Sequence, residues 1–374
     1  MPALSHRYPH MSVVPESTLR NCIESYRDPW LKRSLGEAQA VRSVRISADS
    51  AEVEVVLGFP AADYGPELAR ALASHAAAVI GAGKLKIHVS SEIIAHAVQG
   101  NLKPLKSIKN VVAVASGKGG VGKSTVAANL ALAWSSQGAQ VGVLDADIYG
   151  PSQPRMMGLS GQRPVTRDGK LLEPLRAHGL EVMSIGFLID EEQPMVWRGP
   201  MVTQALTQLL GDTHWGELDY LVVDMPPGTG DIQLTLSQRV PVSGAVIVTT
   251  PQDIALLDAR KGLKMFEKVS VPVLGVVENM STHICPKCGY EEHIFGTGGG
   301  ARMAGEYRVE LLGELPLDIH VREQADGGRP TVVAEPSSPQ ARAFLDMARR
   351  TAVRLASGAG DPSRAFPRIS VEDT

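Results

Sequence analysis

Apolar and polar residues follow two different patterns along this chain, and the first gives way to the second between residues 98 and 110. The first part combines apolar residues at helical spacing with strands in which apolar and polar residues alternate. This predicts a small N-terminal α+β domain over residues 15–97, after a flexible N-terminus at 1–14. Its predicted elements are a helix at Ser17–Tyr26, strands at Val41–Ile46 and Ala51–Leu57, a helix at Pro66–Ile80 and a strand at Leu85–Val89.

The second part has short strands that are apolar at every position, separated by helical stretches. Such strands are buried on both faces, which predicts an α/β fold with a doubly wound, mostly parallel sheet covered by helices. We place this domain at residues 111–357, with a polar, basic linker at 98–110 before it and a flexible tail at 358–374 after it. The strands are Val111–Ala115, Val141–Leu144, Tyr220–Val223, Ala245–Val248 and Val273–Val277.

The strongest chemical motif follows the first of these strands. Residues 117–125 fit the phosphate-binding pattern G-x-x-x-x-G-K-[ST] between a strand and a helix. The backbone N–H groups of such a loop turn toward a triphosphate, Lys123 neutralises its charge, and the Ser124 hydroxyl reaches Mg²⁺. We therefore predict a nucleotide site formed by Gly117, Lys118, Gly119, Gly120, Val121, Gly122, Lys123, Ser124 and Thr125.

Aspartates follow two other predicted strands, at the edge of the sheet where ligands of parallel sheets bind. Asp145 and Asp147 come directly after Leu144, and Asp224 comes directly after Val223. One carboxylate of the first pair can lie in the outer coordination shell of Mg²⁺ while the other positions the attacking water. A strand-end aspartate such as Asp224 is what a Walker B element supplies to the metal. Alone it would more often cap a helix, but a P-loop in the same sheet reverses that preference.

Two further features stay open on the residues alone. Asn279 follows the last apolar strand, where its amide could contact the edge of a purine or simply occupy a turn. The segment Trp197-Arg198-Gly199-Pro200 places a cation beside an aromatic ring, and a helix entry with a packed indole explains it equally well.

The chain has three cysteines, and two of them, Cys285 and Cys288, form a Cys-Pro-Lys-Cys-Gly turn. Their sulfurs converge as in a metal knuckle but supply only half of a four-thiolate site. A symmetric homodimer could join two such pairs around an iron–sulfur cluster or Zn²⁺. Alternatively, His283 and His293 could complete a Cys₂His₂ zinc site in one chain. A redox couple is a third interpretation, although Gly-Tyr-Glu-Glu is a poor start for the helix that would lower a thiol pKa.

Composition narrows the class of protein. The 374 residues carry a net charge of −3 without a lysine- or arginine-rich block, so we expect no nucleic-acid partner. No stretch approaches the ~20 apolar residues of a membrane span, and residues 1–15 hold no apolar signal-peptide core. We therefore expect a cytoplasmic protein without a membrane partner. Three cysteines are too few for a disulfide framework.

Taken together, these motifs strongly resemble the Mrp/ApbC family of iron–sulfur cluster carrier ATPases, which belongs to the MinD-like P-loop NTPases with a deviant Walker A motif. The resemblance covers roughly residues 109–353 and implies the MinD/SIMIBI type of sheet. It rests, in the family's order, on Ala115–Thr125, Leu144–Ser152, Trp197–Met201, Asp219–Asp231, Thr250–Asp253, Glu278–Ser281, Cys285–Cys288, Ile294–Gly296 and Leu312–Asp318.

The N-terminal unit resembles the MIP18-like (DUF59) domain of many bacterial members, with Asp28-Pro29 matching its Asp-Pro dipeptide. Some such domains carry a cysteine in the loop after the second strand. Here that loop, Gly58–Tyr64, has none, so we assign no metal to this domain.

The family resemblance implies a role for each residue of the nucleotide site. Lys118 would reach across a nucleotide-sandwich homodimer to the partner's phosphates, while Lys123 binds phosphate in its own subunit. Asp147 would orient the attacking water. The Mg²⁺ site would comprise Ser124, Asp145 and Asp224.

The resemblance also implies roles outside the P-loop. Asn279 and the segment around Pro316 would contact adenine. Cys285 and Cys288 from both subunits would jointly hold a [4Fe–4S] cluster, which favours the first of the three interpretations of the cysteine pair.

The function implied is that of an ATP-binding and hydrolysing homodimer that takes a cluster from an upstream scaffold and transfers it to apo-proteins. A positioning ATPase of the MinD/ParA kind is the main alternative, but it would show an amphipathic C-terminal helix or a basic face. Arg349, Arg350 and Arg354 give only slight basicity there. An ATPase with a structural zinc site is the second alternative. No cis arginine finger is obvious, so we expect slow hydrolysis without a partner.

Overall fold

The computed structural model describes residues 14–47, 50–80, 84–100, 102–167, 169–188 and 199–358. The chain divides into two compact units, Met1–Glu92 and Ile93–Thr374, each with a sheet of its own. Across the ranges given above, no helix has the length and hydrophobicity needed to cross a bilayer.

The first unit has the α+β elements that the alternating pattern predicts. A three-stranded sheet pairs β3 and β4 antiparallel and β4 and β5 parallel. The predicted helix at Pro66–Ile80 is observed as two helices that meet at Ala76. The elements are α1 (Glu16–Ser25), β1 (Arg27–Asp28), β2 (Arg33–Ser34), β3 (Val41–Ile46), β4 (Ala51–Leu57), α2 (Tyr64–His75), α3 (Ala77–Ile80) and β5 (Leu85–Ser91).

Asp28, the aspartate of the Asp-Pro dipeptide, holds this unit together from a completely buried position. Its Oδ1 accepts the N–H groups of Trp30 and Leu31 at 2.9 and 2.8 Å, and its Oδ2 accepts the hydroxyl of Tyr64 at 2.6 Å. Burial and the neighbouring carboxylate both disfavour a phenolate, so the pKa of Tyr64 is raised. Because a buried charge needs hydrogen-bond donors, these contacts explain an aspartate at this position structurally.

The second unit alternates strands and helices, as the continuous apolar runs predict. In chain order it contains β6 (Ile108–Ser116), α4 (Lys123–Ser136), β7 (Val141–Asp145), α5 (Gln153–Met156), β8 (Thr166–Arg167), β9 (Leu171–Leu172), β10 (Leu175–Ala177), β11 (Leu180–Ser184), a 3₁₀ helix (Ile185–Phe187), α6 (Gly199–Asp212), β12 (Leu218–Asp224), α7 (Asp231–Arg239), β13 (Gly244–Thr249), α8 (Asp253–Lys268), β14 (Val273–Glu278), β15 (His283–Ile284), β16 (Glu291–Glu292), α9 (Gly299–Tyr307), β17 (Glu310–Glu314), α10 (Ile319–Asp326), α11 (Thr331–Ala334) and α12 (Pro339–Ala356).

Eight of these strands form one sheet in the order β10-β11-β7-β12-β6-β13-β14-β17. Every neighbouring pair is parallel except β10 and β11. This confirms the predicted α/β fold with a doubly wound, mostly parallel sheet. The apolar pattern does not predict β11 or β17, because Glu181 interrupts the first and Gly313 the second.

Helix α4, which follows the P-loop, is clamped between the sheet and α12. The ring of Trp134 stacks on Tyr220 of β12 with centroids 4.3 Å apart, and its Nε1 donates to the carbonyl of Ala348 at 2.8 Å. One indole thereby joins the P-loop helix, the central sheet and the C-terminal helix. This packing fixes the C-terminal half of α4 against the sheet and α12.

We expect Trp134→Ala to destabilise the protein by about 3–5 kcal/mol, since it opens a large cavity in a close-packed core. Trp134→Phe should cost less, because it keeps most of the ring volume and loses the hydrogen bond to Ala348. Urea denaturation followed by circular dichroism measures both. Arg342→Ala, at an exposed position of α12, is the control. If Trp134→Ala and the control are equally stable, Trp134 does not stabilise the packing of α4 against the sheet and α12.

Candidate nucleotide and metal site

The loop between β6 and α4 has the backbone of a phosphate cradle. Gly120 and Gly122 adopt φ angles of 82° and 80°, a left-handed conformation that L side chains rarely adopt. A Cβ on Gly117 would lie 2.1 Å from the carbonyl carbon of Asp258 in α8, so this position accepts only glycine. Ser124 and Thr125 fall in the first turn of α4. The predicted strand–loop–helix context is confirmed.

Lys123 makes the central ion pair of the site. Its side chain is only 6% exposed, and its Nζ donates to Oδ1 of Asp224 and to the Ser124 hydroxyl, the latter at 3.3 Å. The nearer oxygen of Asp147 lies 3.9 Å from the same nitrogen. Three residues predicted from separate motifs are therefore in contact around one ammonium group.

Parallel pairing brings the two metal-site aspartates next to each other. Asp145 at the end of β7 is in register with Asp224 at the end of β12, and neither side chain is exposed to solvent. Burial first, and then the charge of Asp224, raise the pKa of Asp145. Burial also raises the pKa of Asp147, against the opposing effect of Lys123. A nearby cation stabilises the charged form of Asp145, and a metal–nucleotide complex would supply such a cation.

Two residues outside the predicted motifs complete this network. Ser184, the last residue of β11, donates its hydroxyl to Oδ2 of Asp145 at 3.1 Å. Gln153 donates its Nε2 to Oδ2 of Asp224 at 2.9 Å. No local sequence pattern predicts a role for Ser184, because β11 and β7 are distant in the sequence and become neighbours only in the folded sheet. Gln153 directly follows the segment that ends at Ser152, so its position in the sequence is the one signal that points to it.

The residues present fit a magnesium–nucleotide complex. The hydroxyl of Ser124 and two buried carboxylates are oxygen ligands of the kind Mg²⁺ prefers. Beside them, Oε1 of Gln153 is buried and has no hydrogen-bond partner among the described residues, while Nε2 of the same amide is bonded to Asp224. Unpaired buried polar atoms are rare in folded proteins and point to a polar ligand at this position.

The residues expected near adenine lie against the P-loop. Asn279 is 7% exposed and donates its Nδ2 to the carbonyl of Val121 at 2.9 Å. The backbone on either side of Pro316 pairs with the segment around Asn279: Leu315 N–H donates to Glu278, and Leu317 N–H donates to Thr282. The structure therefore brings these two segments together beside the loop, and contact with adenine stays a prediction.

Two other features of the sequence, Lys118 and the Trp-Arg segment, are not placed in this hydrogen-bond network by the described residues. The Lys118 side chain is half-buried and makes no hydrogen bond or ion pair with any other residue that the structure describes. It is available for a ligand or a partner. Trp197 and Arg198 lie outside the described residues.

The cysteine pair occupies a short hairpin beyond the carboxyl end of β14. Strands β15 and β16 pair antiparallel, and the Cys285 N–H donates to the Tyr290 carbonyl at 2.9 Å. Gly289 adopts a φ of 73°, which closes the turn. Cys285 is half-buried and Cys288 exposed. The N–H groups of Lys287 and then Cys288 lower the pKa of Cys285, which favours the thiolate that binds metals.

The two histidines near this hairpin form hydrogen bonds with backbone carbonyls and do not join the thiols. Nδ1 of His283 lies 3.0 Å from the carbonyl of Leu317, and Nδ1 of His293 lies 2.9 Å from that of Ser281. Within the part of the chain that the structure describes, no group of three or more His, Cys, Asp or Glu side chains could hold a metal ion. The Cys₂His₂ site in one chain is therefore not formed, and the pair remains half a site.

The family of the chain follows from comparison with known proteins. Residues 107–352 match the ParA family model, described as the NUBPL iron-transfer P-loop NTPase. The chain belongs to this family. An iron–sulfur cluster carrier protein of Pseudomonas fragi is 61% identical over 269 residues, which cover 72% of this chain and 94% of that protein. One from Escherichia coli K12 is 49% identical over 333 residues, covering 89% and 90%.

A solved structure confirms the fold of this P-loop NTPase family member. A nucleotide-binding protein from Archaeoglobus fulgidus in complex with ADP aligns with a TM-score of 0.56 and 41% sequence identity. The alignment covers 64% of this chain and 93% of that one. The relatives and the family description favour the carrier over the positioning ATPase.

The two glycines of the cradle make a matched test of its geometry. A Cβ on Gly122 would lie 2.2 Å from Nδ2 of Asn279, and its φ is left-handed, whereas a Cβ on Gly119 would meet nothing within 4 Å. We expect Gly122→Ala to lower the free energy of unfolding by more than about 1 kcal/mol. Gly119→Ala should change it by less than about 0.5 kcal/mol. Thermal denaturation without nucleotide measures both, and similar losses would contradict the observed loop.

Proposed function

We propose that this protein is a homodimeric, ATP-hydrolysing carrier that binds a [4Fe–4S] cluster between two subunits and transfers it to apo-proteins. One observation carries the proposal. Asn279 is hydrogen-bonded to the P-loop carbonyl of Val121, and the exposed Cys285–Cys288 turn begins six residues later along the same chain segment. Nucleotide site and cargo site are thus two ends of one short stretch of structure.

ATP would bind with its phosphates in the loop between Gly117 and Thr125. Mg²⁺, held through Ser124 and the waters around Asp145 and Asp224, would neutralise phosphate charge. Lys123, already buried with Asp224, would exchange part of that ion pair for the β- and γ-phosphates. Asp147 would accept a hydrogen bond from the attacking water and so orient it, since its carboxylate lies at the rim of the same cluster.

Lys118 would act between subunits. Its ammonium group makes no hydrogen bond or ion pair with the described residues of its own chain, whereas Lys123 is paired with Asp224. A ligand shifts a conformational equilibrium only through its different affinity for the two states. Contacts of Lys118 with the partner's nucleotide would exist only in the closed dimer, and they would supply that difference. Hydrolysis would remove them and relax the dimer.

The cluster is the cargo of this carrier, and Cys285 and Cys288 would hold it as thiolates. These two thiols, one half-buried and one exposed, are half of the four that a [4Fe–4S] cluster needs, so a second copy would supply the others. Large apolar side chains beside them, Ile284, Tyr290 and Ile294, are 57%, 66% and 52% exposed. A second subunit would cover them together with the cluster. Thiolates shared between two exposed turns can also release their cargo readily.

The remaining expectations follow from this role. We propose a cytoplasmic protein that receives its cluster from an upstream scaffold and works without nucleic acid or membrane partners. The N-terminal α+β unit and the P-loop unit would act as separate domains. Hydrolysis would be slow without a partner, because the sequence has no obvious cis arginine finger.

Lys118→Ala should retain ATP binding and lose most hydrolysis, because its own subunit already has Lys123 for the phosphates. Lys123→Ala should lose both, and it serves as the matched control. Equilibrium binding of a fluorescent ATP analogue and steady-state phosphate release measure the two properties. Equal loss of binding and hydrolysis in Lys118→Ala would count against action across the dimer.

Anaerobic reconstitution with iron and sulfide should give a brown dimer with about four irons. Cys285→Ser and Cys288→Ser should each lose the colour, whereas Cys22→Ser should keep it, since Cys22 lies in the first unit. The visible spectrum and an iron count per dimer provide the measurement. A colourless protein that retains zinc through Cys285 and Cys288 would instead establish the structural-zinc ATPase.

A further inference from the structure

A glutamine outside the quoted motifs lies at the centre of the proposed metal site. Gln153 begins α5, and its side chain is completely buried. Its Nε2 donates to Oδ2 of Asp224 at 2.9 Å and to the backbone carbonyl of Ser124 at 3.1 Å. One side-chain amide therefore joins the P-loop to the aspartate at the end of β12.

The backbone of Gln153 makes a third connection. Its N–H donates to Oδ2 of Asp145 at 3.0 Å, and the other oxygen of that carboxylate accepts the N–H of Asp147 at 3.1 Å. Gln153 is thus bonded to the P-loop, to the end of β7 and to the end of β12. These are the three elements that supply oxygen ligands to the proposed magnesium site.

The side chain of Asp224 is held on both oxygens. Oδ1 accepts from Lys123 and Oδ2 from Gln153, so the carboxylate plane is fixed relative to Ser124. A carboxylate has about four acceptor positions, two on each oxygen. Each oxygen therefore keeps one position free for a water bound to the metal.

The other end of the amide is unpaired. Oε1 of Gln153 is buried and has no hydrogen-bond partner among the described residues. It can only accept, so its missing partner must be a donor. A water coordinated to Mg²⁺ is a strong donor, and the position of Nε2 between Ser124 and Asp224 places this oxygen within the same site.

We propose that Gln153 is a positioning residue for magnesium. Its Nε2 sets Asp224 against Ser124, and its Oε1 accepts a hydrogen bond from a metal-bound water. Partners of this outer kind orient the groups that hold a metal and raise its affinity. The inference rests on the proposed function, because it requires that a magnesium–nucleotide complex binds here.

The test is the magnesium requirement of nucleotide binding by the full-length protein. A fluorescent ADP analogue is titrated in EDTA and then at rising MgCl₂. Gln153→Met keeps the side-chain length without either polar atom, and Gln153→Asn keeps the amide but is too short for both partners. Each should need about 10–100-fold more Mg²⁺ for the same gain in affinity, taken relative to that variant's own affinity in EDTA. Gln153→Asn decides the matter if Gln153→Met does not fold.

Gln99→Met is the matched control. Gln99 is also a buried glutamine, 4% exposed, and its Nε2 donates to the carbonyls of Ser237 and Val240 at 2.7 Å. It should lower the melting temperature without changing the magnesium requirement. If the Gln153 variants need the same Mg²⁺ concentration as the wild type, the inference is overturned. The proposal that the protein binds nucleotide would then still stand. Wild-type protein that binds no nucleotide would overturn the proposed function, and the inference with it.

Discussion

The arrangement of the nucleotide site depends on two carboxylates that are buried side by side. Parallel register places Asp145 and Asp224 on adjacent strands at the same level, without solvent. Buried charges are unfavourable unless they are paired and hydrogen-bonded, and here Lys123, Gln153 and Ser184 supply the cation and the donors. The loop that carries Lys123 is therefore held against the strand ends.

The proposed cargo site at Cys285 and Cys288 is far less constrained than the nucleotide site. Cys285 and Cys288 sit in a two-residue-strand hairpin with few backbone hydrogen bonds, and one of the two thiols is exposed. Under the proposed function, a second copy of the chain would supply the other thiolates. Such an arrangement suits a cluster that must be taken up and released, whereas the rigid network around Lys123 suits repeated binding of one nucleotide.

The segment between these sites has discrete connections through which nucleotide state could reach the thiols. Asn279 holds the P-loop, the backbone of Ser281 pairs with Leu315, and the ring of His293 lies against the carbonyl of Ser281. These contacts connect Val121 of the P-loop to the backbone before the hairpin and to His293 after it. Coupling of this kind needs two arrangements with different affinities for nucleotide, and closure of a dimer would provide them.

The sequence by itself determined the sheet class, the P-loop and the order of the strand-end aspartates, because continuous apolar runs and glycine-rich turns are local signals. Only the tertiary structure decided that Lys123 pairs with Asp224, that Gln153 spans three elements and that His283 and His293 hold backbone. It also revealed β11 and β17, whose apolar runs are interrupted by Glu181 and Gly313. These contacts join residues far apart in the chain, and their partners are set by strand order and register, which no local pattern specifies.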